Sequence, residues 1–181
     1  DAFQHFVVVL MGLAQGVRAQ ALQVDALPLG PAGRYSQVLQ EADGPLTVEQ
    51  AISHFQQGFG QPGHQPILNF GIGSRPTWLQ LQMFNPSPAP IPVQVVTGTT
   101  WVDHLQLSLV QAGQSLEQWQ LGDALPGAAG LIPGNGYVVP VLIPSGHSQL
   151  YLRAQSPDPL VLPFEVMAES TFLARDREYK F

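Results

Sequence analysis

The chain has no cysteine at all, only seven Lys and Arg together, and charged residues amount to just 11% of its 181 positions. The first absence removes thiolate nucleophiles, Cys-ligated zinc and disulfides, and it is compatible with either an exported or a cytosolic bacterial protein. The second removes nucleic acid as a partner, because no basic stripe could neutralise several phosphates. Three of the seven cations, Arg175, Arg177 and Lys180, are interleaved with Asp176 and Glu178 in the last seven residues. Long apolar runs are also missing: beyond the N-terminus, no stretch approaches the roughly 20 residues that span a bilayer.

What fills the space left by charge is neutral polarity. There are 21 Gln, alongside 18 Gly and 17 Pro, and the formal net charge is −6. Abundant Gly and Pro favour short elements joined by many turns. The length suits one well-buried domain.

Phe6 to Ala14 is a short apolar run followed by Gly16 and then Ala19-Gln20-Ala21. A short apolar core closed by an A-x-A site reads as a secretory signal peptide over residues 1–21, hence a periplasmic domain. Residues 22–65 read as a lead-in with one helix over 47–57. There Thr47-Val48-Glu49-Gln50 is a capping box, Val48, Ala51, Ile52 and Phe55 make one apolar face, and Gly58 and Gly60 stop it. A short strand is expected near Tyr35 to Leu39.

From Pro66 the apolar period becomes two. Alternating segments are expected as strands at 67–70, 76–84, 92–97, 101–110, 115–121, 137–143, 149–154 and 160–167. Between them lie turns such as Asn85-Pro86-Ser87-Pro88, Ala112-Gly113 and Pro144-Ser145-Gly146-His147, and a long Gly/Pro loop at 122–136. About eight antiparallel strands with one-sided apolar faces predict an all-β, two-sheet sandwich over 66–170, followed by a tail at 171–181.

Catalytic signatures are absent from the pattern. The five His never fall at metal-ligand spacing, no two carboxylates within 66–167 are close in sequence, and Gly71-Ile72-Gly73-Ser74 precedes no helix pattern. The expectation is therefore no enzyme, no metal and no cofactor. For binding, Arg75 and Arg153 are the only cations between 66 and 167. Arg153 shares a strand face with Gln149 and Tyr151, a set that could stack on and hydrogen-bond a small polar ligand, or simply form a solvated outer face. Trp78 has the parity of Gln80 and Gln82 and is expected to be exposed. Trp101 has the parity of Leu105, Leu107 and Leu109 and is expected to cap the core. Asp103 has core parity too, so it must be hydrogen-bonded or lie at a wet strand end, with His104 beside it.

The order of these features resembles the type-two extracellular sensor domain of seven-transmembrane receptors with diverse intracellular signalling modules. The landmarks run from Leu46-Thr47-Val48-Glu49 through Asn69-Phe70-Gly71-Ile72, Trp78-Leu79, Asn85-Pro86, Val102-Asp103-His104-Leu105 and Gly122-Asp123. They continue with Pro140-Val141, Pro144-Ser145-Gly146, Leu150-Tyr151-Leu152-Arg153 and Leu160-Val161-Leu162-Pro163. The resemblance implies a jelly-roll sandwich similar to carbohydrate-binding modules. It would stand ahead of seven membrane helices and a cytoplasmic diguanylate cyclase, phosphodiesterase or histidine kinase, with the charged tail just before the first span. Where relatives often carry Arg in the loop, this sequence has Gly130 and Asn135; Arg153 is retained. The candidate ligand residues are thus Arg153, Tyr151, Trp78, Arg75, Asp103, His104 and Asn135, and the implied ligand is a carbohydrate or other small polar molecule. Two alternatives stay open: a protein-contact or dimerisation module with no small ligand, forming a weak homodimer, and an accessory carbohydrate-binding module of a secreted enzyme.

Overall fold

A computed structural model describes residues 20–125, 131–132 and 136–178. Residues 1–19 of the expected signal peptide, and Asn135, lie outside them. Within the described residues run thirteen strands and two α-helices. In order they are β1 Leu22–Gln23, β2 Ser36–Gln40, α1 Val48–Gln56, β3 Gln61–Pro62, β4 Leu68–Asn69, β5 Thr77–Asn85, β6 Ile91–Val96 and β7 His104–Gln111. After these come β8 Gln114–Leu121, β9 Leu131–Ile132, β10 Gly136–Ile143, β11 Gly146–Gln155, β12 Val161–Leu162, β13 Glu165–Ala168 and α2 Glu169–Glu178.

The strands form an all-β sandwich, as the alternating pattern predicts. A seven-stranded sheet has the order β3-β2-β5-β11-β7-β8, with β1 also on β5; a four-stranded sheet has the order β13-β6-β10-β9; β12 and β4 make a small ribbon. The period-two residues meet between the layers: Leu79, Leu81, Leu105, Leu107, Leu150 and Leu152 from one sheet face Val93, Val95, Val139, Val141 and Val166 from the other. The interior is filled by side chains. A gap of only about 10 Å³ remains among Leu79, Leu81, Val95 and Phe164, too small for an internal ligand chamber there.

Residues 20–65 are woven into the large sheet. β1 runs parallel to β5 with Leu22 opposite Met83, and β2 runs antiparallel to it with Val38 opposite Leu79. The capping box forms in full: the Thr47 hydroxyl accepts from the Gln50 amide, and the Gln50 side chain accepts from the Thr47 amide. α1 then lays Val48, Ala51, Ile52 and Phe55 on the outer face of the large sheet, against Trp78, Val110 and Tyr151. The chain thus has a second, smaller core on that face. Burial of each large apolar side chain in it contributes about 1.5–3 kcal/mol.

The charged tail is partly helical. α2 follows β13 without a break and buries Phe172 with Val96, Val138 and Met167 on the outer face of the four-stranded sheet. Arg175 bonds Glu165 at 2.9 Å, and Glu165 also accepts from the Gly30 amide at 2.9 Å. Neither described helix is long and apolar enough to cross a membrane.

Candidate functional site

The β5–β11 register sets Trp78 opposite Arg153 and Gln80 opposite Tyr151, so three of the sequence-derived candidates do come together. Their surroundings differ from expectation. Trp78 is fully buried and Tyr151 is 1% exposed, because α1 covers this part of the sheet. The expectation of an exposed Trp78 is therefore corrected: outward parity on a strand gives solvent only where nothing lies above it. Trp101 is corrected in the opposite sense. It is 44% exposed and donates its indole N–H to the Pro159 carbonyl, since β7 starts at His104 and strand parity does not reach back to residue 101.

Beneath α1 the polar groups converge on Glu41, which sequence reasoning missed. Its Oε1 accepts from Trp78 Nε1 at 2.8 Å, from Arg153 Nε at 2.8 Å and from the Leu46 amide at 3.1 Å. Its Oε2 accepts from Arg153 Nη2 at 2.9 Å, which makes the pair bidentate. The Glu41 side chain is 2% exposed and that of Arg153 15%. Gln80 Nε2 donates to the Tyr151 hydroxyl at 2.7 Å; burial raises the Tyr151 pKa against that bond, which lowers it. The geometry is that of a closed polar node holding the helix approach to the sheet.

Burial raises the Glu41 pKa, but the bonds from Arg153, the Leu46 amide and Trp78, with the guanidinium charge, outweigh it and the net displacement is downward. A carboxylate whose folded pKa lies below its unfolded value contributes stability above that value, and the contribution disappears as pH falls through the folded pKa. Stability is accordingly expected to drop as pH falls below about 4.5, and Glu41→Gln should flatten that slope. Urea midpoints collected across this range check it; an unchanged slope in the variant would place the acid sensitivity elsewhere.

The other candidates stand apart from this node. Asp103 is half-buried just before β7 and accepts from the Ser156 hydroxyl at 2.6 Å, consistent with a carboxylate at a strand end. His104 is exposed opposite Gln155, and Arg75 is exposed ahead of β5. Among the described residues no group of three or more His, Cys, Asp or Glu is placed to hold a metal.

Open space lies elsewhere. An accessible cleft of about 380 Å³ runs between the rims of the two sheets, lined by Gln118, Trp119, Gln120 and Leu121 of β8 and by Val138, Val139 and Pro140 of β10. β8 is the outermost strand of its sheet, and Trp119, opposite Leu107, packs half-buried on the main core. Its neighbours Gln118 and Gln120 are exposed. The signal that could have found this site is the pattern of β8 itself: Gln-Ser-Leu-Glu-Gln-Trp-Gln-Leu carries a Trp within a polar strand, as a strand overhanging the opposite sheet should.

A sandwich with a filled interior, a helix over part of one outer face and an aromatic residue in a cleft at its rim belongs to the all-β sandwich class. The chain is a member of the 7TMR-DISM extracellular 2 family, whose model matches residues 33–168. It is thus an extracellular sensor domain of a transmembrane receptor and, as that family implies, an exported one. No curated protein matches the sequence significantly.

Proposed function

We propose that the domain senses a carbohydrate or another small polar molecule in the periplasm by holding it in the cleft beside Trp119. The observation that carries the reading is the make-up of that cleft: one indole face, two Gln side chains and apolar walls, with no charged residue among the described residues that line it. A flat aromatic surface suits the C–H faces of a sugar ring, and amides can donate to and accept from hydroxyls without selecting for charge. The lack of cations there disfavours an anionic ligand. An output through a diguanylate cyclase, phosphodiesterase or histidine kinase rests on the family resemblance alone.

A thermal-shift screen of the chain against neutral sugars, amino acids and small carboxylates tests it. A ligand at 100 times its Kd stabilises the native state by about 2.7 kcal/mol, and each kcal/mol moves Tm by roughly 2–4 °C for a domain of this size. The shift should come from a neutral polyhydroxyl compound and vanish in Trp119→Ala. A shift that survives Trp119→Ala would remove the ligand from this cleft.

A second reading has its own observation. β8 is an edge strand whose only charge is Glu117, it displays Leu116 at 53% exposure, and its outer edge is unpaired among the described residues. Such an edge suits pairing with another chain. A folded protein that ignores the whole panel but self-associates, and loses that association in Leu116→Lys, would favour the contact-module reading.

A further inference from the structure

β2 and β3 are the two strands of a hairpin, with Val38 opposite Gln61, so residues 41–60 are its connection and α1 lies within that connection. The segment leaves the sheet and returns to it at neighbouring points. It can therefore swing off the outer face without altering the register of any strand. Gly44 and Gly58 stand on either side of α1, with φ values of +114° and +84° and nothing among the described residues within 4 Å of the place a Cβ would take. They are joints free of packing.

What holds α1 down is separate from the main core. Val48, Ala51, Ile52 and Phe55 meet Trp78, Val110 and Tyr151 in a cluster of their own, apart from the layer between the two sheets. A nine-residue helix is too short to persist alone in water, so α1 stays folded through these contacts. A small group of contacts outside the main core opens at a lower free-energy cost than the whole domain.

The surface beneath is built without α1. Glu41 belongs to the sheet side: its amide donates to the Pro76 carbonyl at 2.9 Å, extending the β2–β5 pairing. Its carboxylate is bonded to Trp78 and Arg153, and Gln80 is bonded to the Tyr151 hydroxyl, all four being residues of β5 and β11. The Leu46 amide joins this network from the α1 side at 3.1 Å. With α1 lifted, Trp78, Tyr151 and Val110 form an apolar floor with two aromatic rings, and Glu41 and Arg153 balance each other's charge beside it. α1 fills that floor with an aromatic ring of its own: Phe55 meets Tyr151 edge to face, with centroids 5.6 Å apart.

We propose that residues 42–60 are a lid, and that the floor beneath is a second binding site, distinct from the cleft at Trp119, for a neutral aromatic molecule. The ligand takes the place of Phe55 over Tyr151 and Trp78, and it binds the lifted form. Neutrality follows from the floor, where the carboxylate and the guanidinium already satisfy each other and leave no charge for a ligand to pair. Such a ligand raises the population of the lifted form to the extent that it prefers that form to the closed one.

The chain's lack of cysteine lets a single thiol report on each layer. Ala51→Cys lies under α1 and Ala154→Cys in the main core, and both alanines are fully buried. In the folded protein, Ala51→Cys should react with a thiol reagent at least about tenfold faster than Ala154→Cys, which waits for the sheets to separate. Indole is the probe ligand. It should speed the reaction of Ala51→Cys further, with saturation, and leave that of Ala154→Cys unchanged. Equal rates at the two positions would overturn the lid. Indole that slows Ala51→Cys, leaves it unchanged or speeds both thiols would overturn the site. Should either cysteine disturb the fold, hydrogen exchange of the unaltered chain makes the same comparison between the amides of α1 and those of β11, with and without indole. The Trp119 reading is tested by its own substitution, so its failure and the failure of this one are separate results.

Discussion

Glu41→Ala is expected to lower the unfolding free energy by about 3–5 kcal/mol, the range for removing one partner of a buried ion pair. Four bonds end on this carboxylate, and Ala would leave the Trp78 and Leu46 N–H groups and most of the Arg153 guanidinium without their acceptor. Arg153 would keep its bond from Nη1 to Gln155, so the loss falls short of stranding the charge completely. Against a total of roughly 5–15 kcal/mol for an ordinary domain the change is severe. The midpoint of urea unfolding measures it. Adding Arg153→Ala to Glu41→Ala should cost less than the sum of the two single changes, because the second removes the charge the first leaves unpaired. A loss below about 1 kcal/mol for Glu41→Ala would mean that water satisfies the node and that α1 is not fastened through it.

The second large effect is steric. Gly122 closes β8 with φ at +123°, and a Cβ there would run into the Asp103 carbonyl and the His104 Cα. That carbonyl is backbone held in place, accepting from the Ala124 amide at 3.2 Å, while the Asp123 amide donates to Val102 at 3.1 Å. Gly122→Ala combines left-handed strain with overpacking and should cost about 3–5 kcal/mol, lowering Tm by roughly 6–20 °C. Gly146→Ala is the control. Its φ is +82°, but nothing lies within 4 Å of the added carbon, so only conformational strain of about 1 kcal/mol is expected. Equal losses from the two substitutions would show that the contact with Asp103 is relieved by a backbone shift.

The large-sheet strands from β5 to β11 were legible because period-two alternation survives wherever one face meets the main core. α1 was legible because its cap and its apolar stripe are local. The outer face was misread for a reason the sequence contains. Trp78, Val110 and Tyr151 are apolar or aromatic residues at the polar parity, and α1 has an apolar face of its own. Each feature required a partner, and each was the other's. Glu41 could not be found in this way: it lies 112 residues from Arg153, and nothing local marks a carboxylate before Ala42-Asp43-Gly44 as buried. α2 was missed because a single anchor, Phe172, creates no periodic signal. Trp119 was passed over because an overhanging strand shows neither a full apolar face nor a clear polar one.

The centre of the large sheet also dictates the order in which the molecule can be made. β5 is bounded on one side by β1 and β2 and on the other by β11, where Leu81 lies opposite Leu150. No contiguous half of the polypeptide contains both neighbours of β5, so the layer cannot close until the chain is available to about Gln155. Pairings so far apart in sequence put folding in the slow, non-local regime of β-sandwiches, on the order of milliseconds to seconds. The same register that builds the sandwich thus leaves one side of its central strand without a partner until β11 is available.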